Sequence, residues 1–487
     1  MNTLKIFLPG LLALSLFSCK KTLDVEPTNQ VDATTSIKTP ADAQIMINGI
    51  MRSMSSSDYY GRNFMLYADA KGGDMTIPSQ GRGNDALYTF NHSPSSGSYS
   101  GYWSQIYFSL LQVNNLLQNI DKLEAAGTTG FGSYKGQALT LRAIMYFDLV
   151  RLYGKPYDLD KNAYGVPNVT TPLNSSAQPV RNTVGDNYTQ ILSDLKAAAP
   201  LLSKSKANGF INYYGNIAMQ ARVYLYMKDY ANALKAAEEI ILSNAYTLYS
   251  NAAWTDSWKT QFGSESIFEI GIYPLEGDLG AGSLGAYHRK KGDGGSTILG
   301  WFIASDYFLN RLKQDAADVR WGVMNDDEIS TSSVPRKGAL YKYSGSTTLA
   351  GDGKTTNTAV NIKVIRLSEI YLIAAEAALP TDAAKAATYL NAIRKRSPNL
   401  LPATALTVNT DMILDERSKE LYGEGQRFFD MMRLNKTITF NDEVIGISVA
   451  TRPKSIDRTF FKTLLPISQT EINANPGLQG QQNPGYQ

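Results

Sequence analysis

The chain has 487 residues, 47 Lys and Arg against 44 Asp and Glu for a net charge of +3, and 43% hydrophobic against 19% charged side chains. That balance describes a globular chain long enough for a large core or two domains, and it excludes a disordered chain, a nucleic-acid surface and a polybasic membrane surface. Only two histidines (His92 and His288) and one cysteine are present, so a His/Cys metal site has no ligands to draw on and neither metal nor cofactor is expected.

The one cysteine, Cys19, ends an apolar run from Ile6 to Phe17 and precedes two lysines. The run is shorter than the ~20 residues needed to span a bilayer and has the size of a signal-peptide core, with Ser18 just before the cut. Leu16-Phe17-Ser18-Cys19 resembles a bacterial lipobox, although Phe17 stands where a smaller residue is commoner; the alternative is an ordinary secretory signal. Residues 1–18 are therefore read as a lipoprotein signal peptide and Cys19 as the lipidation site. Stable anchoring takes more than one acyl chain, at roughly 0.8 kcal/mol per buried CH₂. Residues 19–40, polar with two prolines, form a linker to a single body over 41–487.

Helical periodicity over 41–54 and 103–123 flanks the stretch 55–102, whose glycines, serines and asparagines read as a long excursion. At 137–153, "QALTLRAIMYFDLVRLY", two apolar stripes share one helix, which is then sandwiched between neighbours until Gly154-Lys155-Pro156 stops it. Residues 213–243 make a helix pair around Lys228-Asp229-Tyr230. Ala221, Tyr224 and Ala233 fall where a tetratricopeptide repeat puts small, aromatic and small residues, and Ala375 and Ala387 repeat the spacing in a second pair. Between the pairs, 265–273 reads as a short strand, residues 271–300 hold nine glycines, helix returns at 305–312, and 325–360 is polar. The expected fold is mainly α, with tetratricopeptide-like helix-pair repeats, a few short strands and ligand-facing loops at about 55–102 and 271–360, because loops of that length usually carry function.

Several motifs have plain readings. Gly280-Ala281-Gly282-Ser283-Leu284-Gly285 fits G-x-G-x-x-G, but no helix is expected after it, and a pyrophosphate needs a helix N-terminus. Glu416, Glu420 and Glu424 share a helical face, yet Arg417, Arg427 and Arg433 beside them would hold the carboxylates ionised, so an ion-pair lattice is favoured over acid/base catalysis. No Gly-x-Ser-x-Gly elbow occurs, and neither Asp352-Gly353 nor Asn325-Asp326-Asp327-Glu328 has calcium-loop spacing. What remains is the aromatic content of the excursions, since rings stack on sugar faces while neighbouring polar groups bond hydroxyls. The candidate ligand-binding residues are Tyr60, Tyr67, Asp69, Asp74, Tyr88 and Tyr99 early, and Tyr287, His288 and Trp301 centrally. Trp103, Trp254 and Trp258 are read as core.

Five stretches together resemble the SusD/RagB family: "SCKKTLDVEPTNQ" (18–30), "LRAIMYFDLVRLYGKPY" (141–157), "RLSEIYLIAAEA" (366–377), "ERSKELYGEGQRFFDMMR" (416–433) and "LLPISQTEINANPGLQGQQNPGY" (464–486). The resemblance implies a helical body with four tetratricopeptide-like pairs and no catalysis. It implies a cell-surface lipoprotein of the outer membrane that lids a SusC-like TonB-dependent transporter and captures oligosaccharide for import. Family ligand residues do not carry over, because those loops differ between members. Import of peptides or another nutrient by the same route is the alternative; a lipid-anchored glycoside hydrolase would need two unpaired carboxylates on a cleft within roughly 10 Å.

Overall fold

The computed structural model describes residues 37–96 and 100–486. Cys19, the signal segment 1–18, most of the linker and Tyr99 lie outside them.

The first helix, α1 (Pro40–Met54), begins at a capping box: Thr39 Oγ1 accepts from the Asp42 amide at 3.3 Å and the Asp42 carboxylate accepts from the Thr39 amide at 2.9 Å, with Pro40 in the first turn. There follow α2 (Asn63–Lys71), α3 (Asp85–Thr89), α4 (Ser100–Ala125), α5 (Gly132–Tyr153) and α6 (Val184–Ala198). The expected pairs are α7 (Tyr213–Tyr226) with α8 (Tyr230–Ser243), and α12 (Leu367–Ala378) with α13 (Ala383–Arg394). The short helices α9 (Asn251–Trp254), α10 (Leu284–His288) and α11 (Asp306–Leu312) lie between the pairs; α14 (Thr410–Glu420), α15 (Arg427–Arg433) and α16 (Gln469–Ala474) close the chain.

Helices α4 to α8 pack each on the next, α8 packs on α12, and α12 on α13. Ala221, Ala233, Ala375 and Ala387 are buried, so small side chains sit where the helix pairs approach. From Thr140 to Tyr153 every side chain of α5 is buried, as expected of a helix covered on both sides. Trp103, Trp254 and Trp258 are core residues.

Eight short strands form four antiparallel pairs: β1 (Met75–Thr76) with β3 (Ile303–Ala304), β2 (Ser266–Ile270) with β6 (Ile362–Arg366), β4 (Met324–Asn325) with β5 (Ala339–Leu340), and β7 (Ile438–Thr439) with β8 (Ser455–Ile456).

Three local expectations need correction. The stretch 55–102 is not one irregular excursion, since it contains α2 and α3. Every residue of α2 from Phe64 to Lys71 is buried, so no amphipathic period marks it. The segment 414–433 is two helices: Gly423 and Gly425 take left-handed φ of +79° and +72° between α14 and α15. A helix does open after Gly280-Ala281-Gly282, namely α10 capped by Ser283, but its five residues are buried and β2 ends at Ile270, well before the glycines. The strand-then-helix context of a dinucleotide site is missing.

Candidate functional site

The pairing of β1 with β3, Met75 opposite Ala304 and Thr76 opposite Ile303, brings the early and central excursions together. Beyond β1, Gly81 and Gly83 both take left-handed backbone (φ +83° and +100°), and the Asp85 carboxylate accepts from their amides at 3.0 and 3.2 Å. That turn carries Arg82. Its guanidinium donates to the carbonyls of Leu299 and Gly300 at 3.3 and 3.1 Å and forms a two-toothed pair with Glu328, at 3.2 and 2.8 Å. Gly300 is left-handed (φ +55°), and a side chain there would collide with Glu328 and with the backbone at Lys291.

Trp301 follows directly. Its ring lies 4.8 Å from that of Tyr287 at 55°, and a Cβ on Gly83 would sit 3.5 Å from its edge. The Arg62 guanidinium lies 4.6 Å from the Tyr287 ring centroid and donates to the Gly282 carbonyl at 3.1 Å. Tyr287 is 6% exposed, whereas Trp301 is half-buried. Burial raises the Tyr287 hydroxyl above its ordinary value, and Arg62 opposes the shift. Trp301 is thus a part-exposed ring braced by Tyr287, with the Arg82–Glu328 pair held at the preceding Gly300 and Arg62 over Tyr287. Such a surface stacks a ring face and bonds hydroxyls. Arg62, Arg82 and Glu328 were missed from the sequence; an arginine between two glycines, as in Gly81-Arg82-Gly83, is the signal that could have found Arg82.

Most of the other candidate residues face inward. Tyr60 is buried and donates to Asp148 at 2.8 Å beside Tyr59 at 2.6 Å. Tyr67 is enclosed by Tyr102, Phe428 and Phe429. Asp69 accepts from the Gly425 amide at 2.8 Å, and burial raises its carboxyl well above the usual range. Asp74 binds Ser418 at 2.5 Å, Arg427 at 3.2 Å and Arg311, which ties the early segment to α14, α15 and α11. Tyr88 donates to Asp442 at 2.7 Å under Arg452. His288 is buried against Tyr343, and burial, then Lys342, pushes its imidazole down to about 3. These side chains are taken up by the fold, because α2, α3, α10 and the turns beside them, which carry these residues, pack into the core. Among the described residues of the set, only Tyr287 and Trp301 come together at the surface described above.

The carboxylates weighed for catalysis are buried and paired. Glu416 meets Arg320 at 2.7 Å and Lys419 at 3.1 Å, Glu420 meets Arg366 at 3.1 Å, and Glu424 meets Arg366 and Lys342, both at 2.7 Å. Burial alone would raise Glu420, but Arg366, Arg396, Arg320 and Lys342 outweigh it and hold the carboxyl at about 2. A lattice was expected here, with other partners. Arg417 instead pairs with Asp430 at 2.9 Å, Arg433 with Asp430 at 2.8 Å and with Glu376, and Arg427 with Asp74. The calcium-like runs are also occupied: Asp352 by Lys354 at 2.7 Å, Asp327 by Arg336 and Glu328 by Arg82. Among the described residues no cluster of His, Cys, Asp or Glu could hold a metal ion.

Two family models match the chain, one described as the SusD family over residues 299–486 and one as starch-binding associating with outer membrane over residues 21–225. The SusD-like protein P2 of Formosa agariphila is 26% identical over 98% of both chains. A SusD superfamily protein from Bacteroides thetaiotaomicron is 34% identical, with a TM-score of 0.82 over 92% of this chain and 100% of that one. Another from Bacteroides vulgatus is 32% identical, with a TM-score of 0.81 over 93% and 100%. A laminarin binding SusD-like protein shares the fold, with a TM-score of 0.70 and 23% identity over 92% and 100%. With identity above 30% across nearly the whole length, the chain belongs to the SusD family.

Proposed function

We propose that the protein binds oligosaccharide at the Trp301 platform, without cleaving it, and hands it to a SusC-like TonB-dependent transporter at the outer membrane, where Cys19 anchors the chain through lipid. The observation that carries the reading is the part-exposed Trp301 ring braced by Tyr287, with the Arg82–Glu328 pair at the preceding residue and Arg62 over Tyr287. A laminarin binding relative of the same fold and a family model described as starch-binding associating with outer membrane support a glycan as the ligand class. The pairing of every carboxylate in the 416–424 segment supports binding without chemistry. The experiment is a glycan-array screen of the purified protein, followed by calorimetry on the best ligand. Trp301→Ala should weaken binding at least tenfold, about 1.4 kcal/mol. Unchanged affinity would refute the assignment, and selective binding of peptides would redirect it to another nutrient.

For the transporter, the face of α4 is the proposed contact. Phe108 and Leu111 are 56% and 42% exposed there, and Leu111 lines a groove of about 340 Å³ together with Trp103, Tyr107 and the 44%-exposed Leu173. A charge at Leu111 (Leu111→Arg) should abolish co-purification of a TonB-dependent barrel identified by mass spectrometry while leaving glycan affinity intact; retention of the barrel would contradict this placement.

A further inference from the structure

A second concave site lies apart from the Trp301 platform and shares no residue with it. The last turns of α1, the turn before α7 and a hairpin after β2 enclose a cavity of about 230 Å³. The hairpin is tight: the Tyr273 amide donates to the Glu276 carbonyl at 2.8 Å, and the Glu276 amide to the Tyr273 carbonyl at 2.9 Å. It lifts Tyr273 to 47% exposure on the cavity wall. At Gly271 a Cβ would stand 3.0 Å from the Tyr273 ring, so the ring lies back against the end of the strand. Phe210 supplies a second, part-buried ring from the turn at Gly209, whose φ is +79°. Arg52 and Glu276 line the same cavity as the two rings. Neither forms an ion pair within 4.0 Å among the described residues, so each retains bonding capacity toward a polar ligand. Arg52 donates one bond, to Ser55 at 3.0 Å.

We propose that this cavity is a second saccharide-binding site, taking one pyranose unit of a longer neutral glycan. Two rings supply apolar faces, and an unpaired guanidinium and carboxylate supply donors and acceptors for adjacent hydroxyls. The volume is below the roughly 300–1,000 Å³ of sites that enclose a whole small ligand, which fits one sugar unit with the rest of the chain in solvent. The inference rests on reading the protein as a glycan binder.

The test is calorimetric titration of the detergent-purified full chain with laminarihexaose, maltohexaose and xylohexaose. For at least one hexaose the wild type should show two sites. Trp301→Ala should remove one, and Phe210→Ala/Tyr273→Ala the other. Because Phe210 is partly buried, Glu276→Gln and Arg52→Met, both at exposed positions, serve as further variants; each should weaken the second site at least fivefold with the first unchanged. A single site that needs Trp301 and ignores all four of these substitutions overturns this inference alone. A single site that needs Tyr273 and Glu276 but ignores Trp301 overturns the platform reading instead, and no binding to any hexaose overturns the inference for neutral glycans.

Discussion

Replacing Arg366 by methionine removes the centre of the buried lattice. Its guanidinium donates to Glu424 at 2.8 and 2.7 Å and to Glu420 and Glu265 at 3.1 Å each. Each carboxylate retains one cation: Lys342 at 2.7 Å for Glu424, Arg396 at 2.7 Å for Glu265, and Arg320 at 3.5 Å for Glu420. Arg320 is shared with Asp318 and Glu416, so Glu420 alone of the three is left poorly compensated, and the loss should be about 3–5 kcal/mol. With a urea dependence of about 3 kcal/mol per molar, the midpoint of unfolding falls by roughly 1 to 1.7 M. Adding Glu420→Gln should recover at least about 1 kcal/mol, because it removes the poorly compensated charge while Arg320 keeps Asp318 and Glu416. The wild type carries a pH signature as well. Glu420 has a folded value near 2, below its ordinary 4.5, so its contribution is complete above about pH 4.5 and is lost as pH falls toward 2. The variant should show a flatter acid limb. A loss under 1 kcal/mol, or no recovery in the double variant, would refute the lattice as a stabilising unit.

Other outcomes follow from single positions. Gly425→Ala forces a side chain into left-handed backbone, with its Cβ 3.0 Å from Met65 Sδ, and should cost about 1–3 kcal/mol in urea unfolding; a neutral result would contradict the turn between α14 and α15. His288 has a folded value near 3 against an ordinary 6.5, so its contribution is complete above pH 6.5 and falls away by about 1.4 kcal/mol per pH unit below it. The fall in stability from pH 7 to pH 5 should shrink by about 2 kcal/mol in His288→Gln, and an unchanged slope would show that the imidazole is not held neutral.

The helical body was legible because α5, α7, α8, α12 and α13 alternate apolar and polar faces or place alanines where helices meet. Helix α2 was not, since burial on all sides erases the period from which an amphipathic helix is recognised. The same limit explains the candidate site. Composition shows that Tyr60, Tyr67 and Tyr88 lie in a glycine-rich stretch, but not that their hydroxyls turn inward to Asp148 and Asp442 or into an aromatic core. Trp301 and Tyr287 were singled out by ring content, and the structure brings these two rings together. Arg62, Arg82 and Glu328 reach the site only through pairings between residues more than 200 positions apart, which local pattern does not encode. At Ser468, Ser468-Gln469-Thr470-Glu471 has the spacing of a capping box, but only half of it is made. The hydroxyl accepts from the Glu471 amide at 3.2 Å, while the Glu471 carboxyl turns to Trp103 and is raised by burial.

The central claim is that Trp301 holds a sugar ring and leaves it intact. A crystal structure of the protein with its best-bound oligosaccharide tests it most directly. The account predicts a pyranose stacked on the Trp301 ring, hydroxyls within hydrogen-bond reach of Arg82 or Arg62, and every glycosidic bond unbroken. An oligosaccharide bound elsewhere with no sugar at Trp301, or a cleaved product lying between two carboxylates, would contradict it.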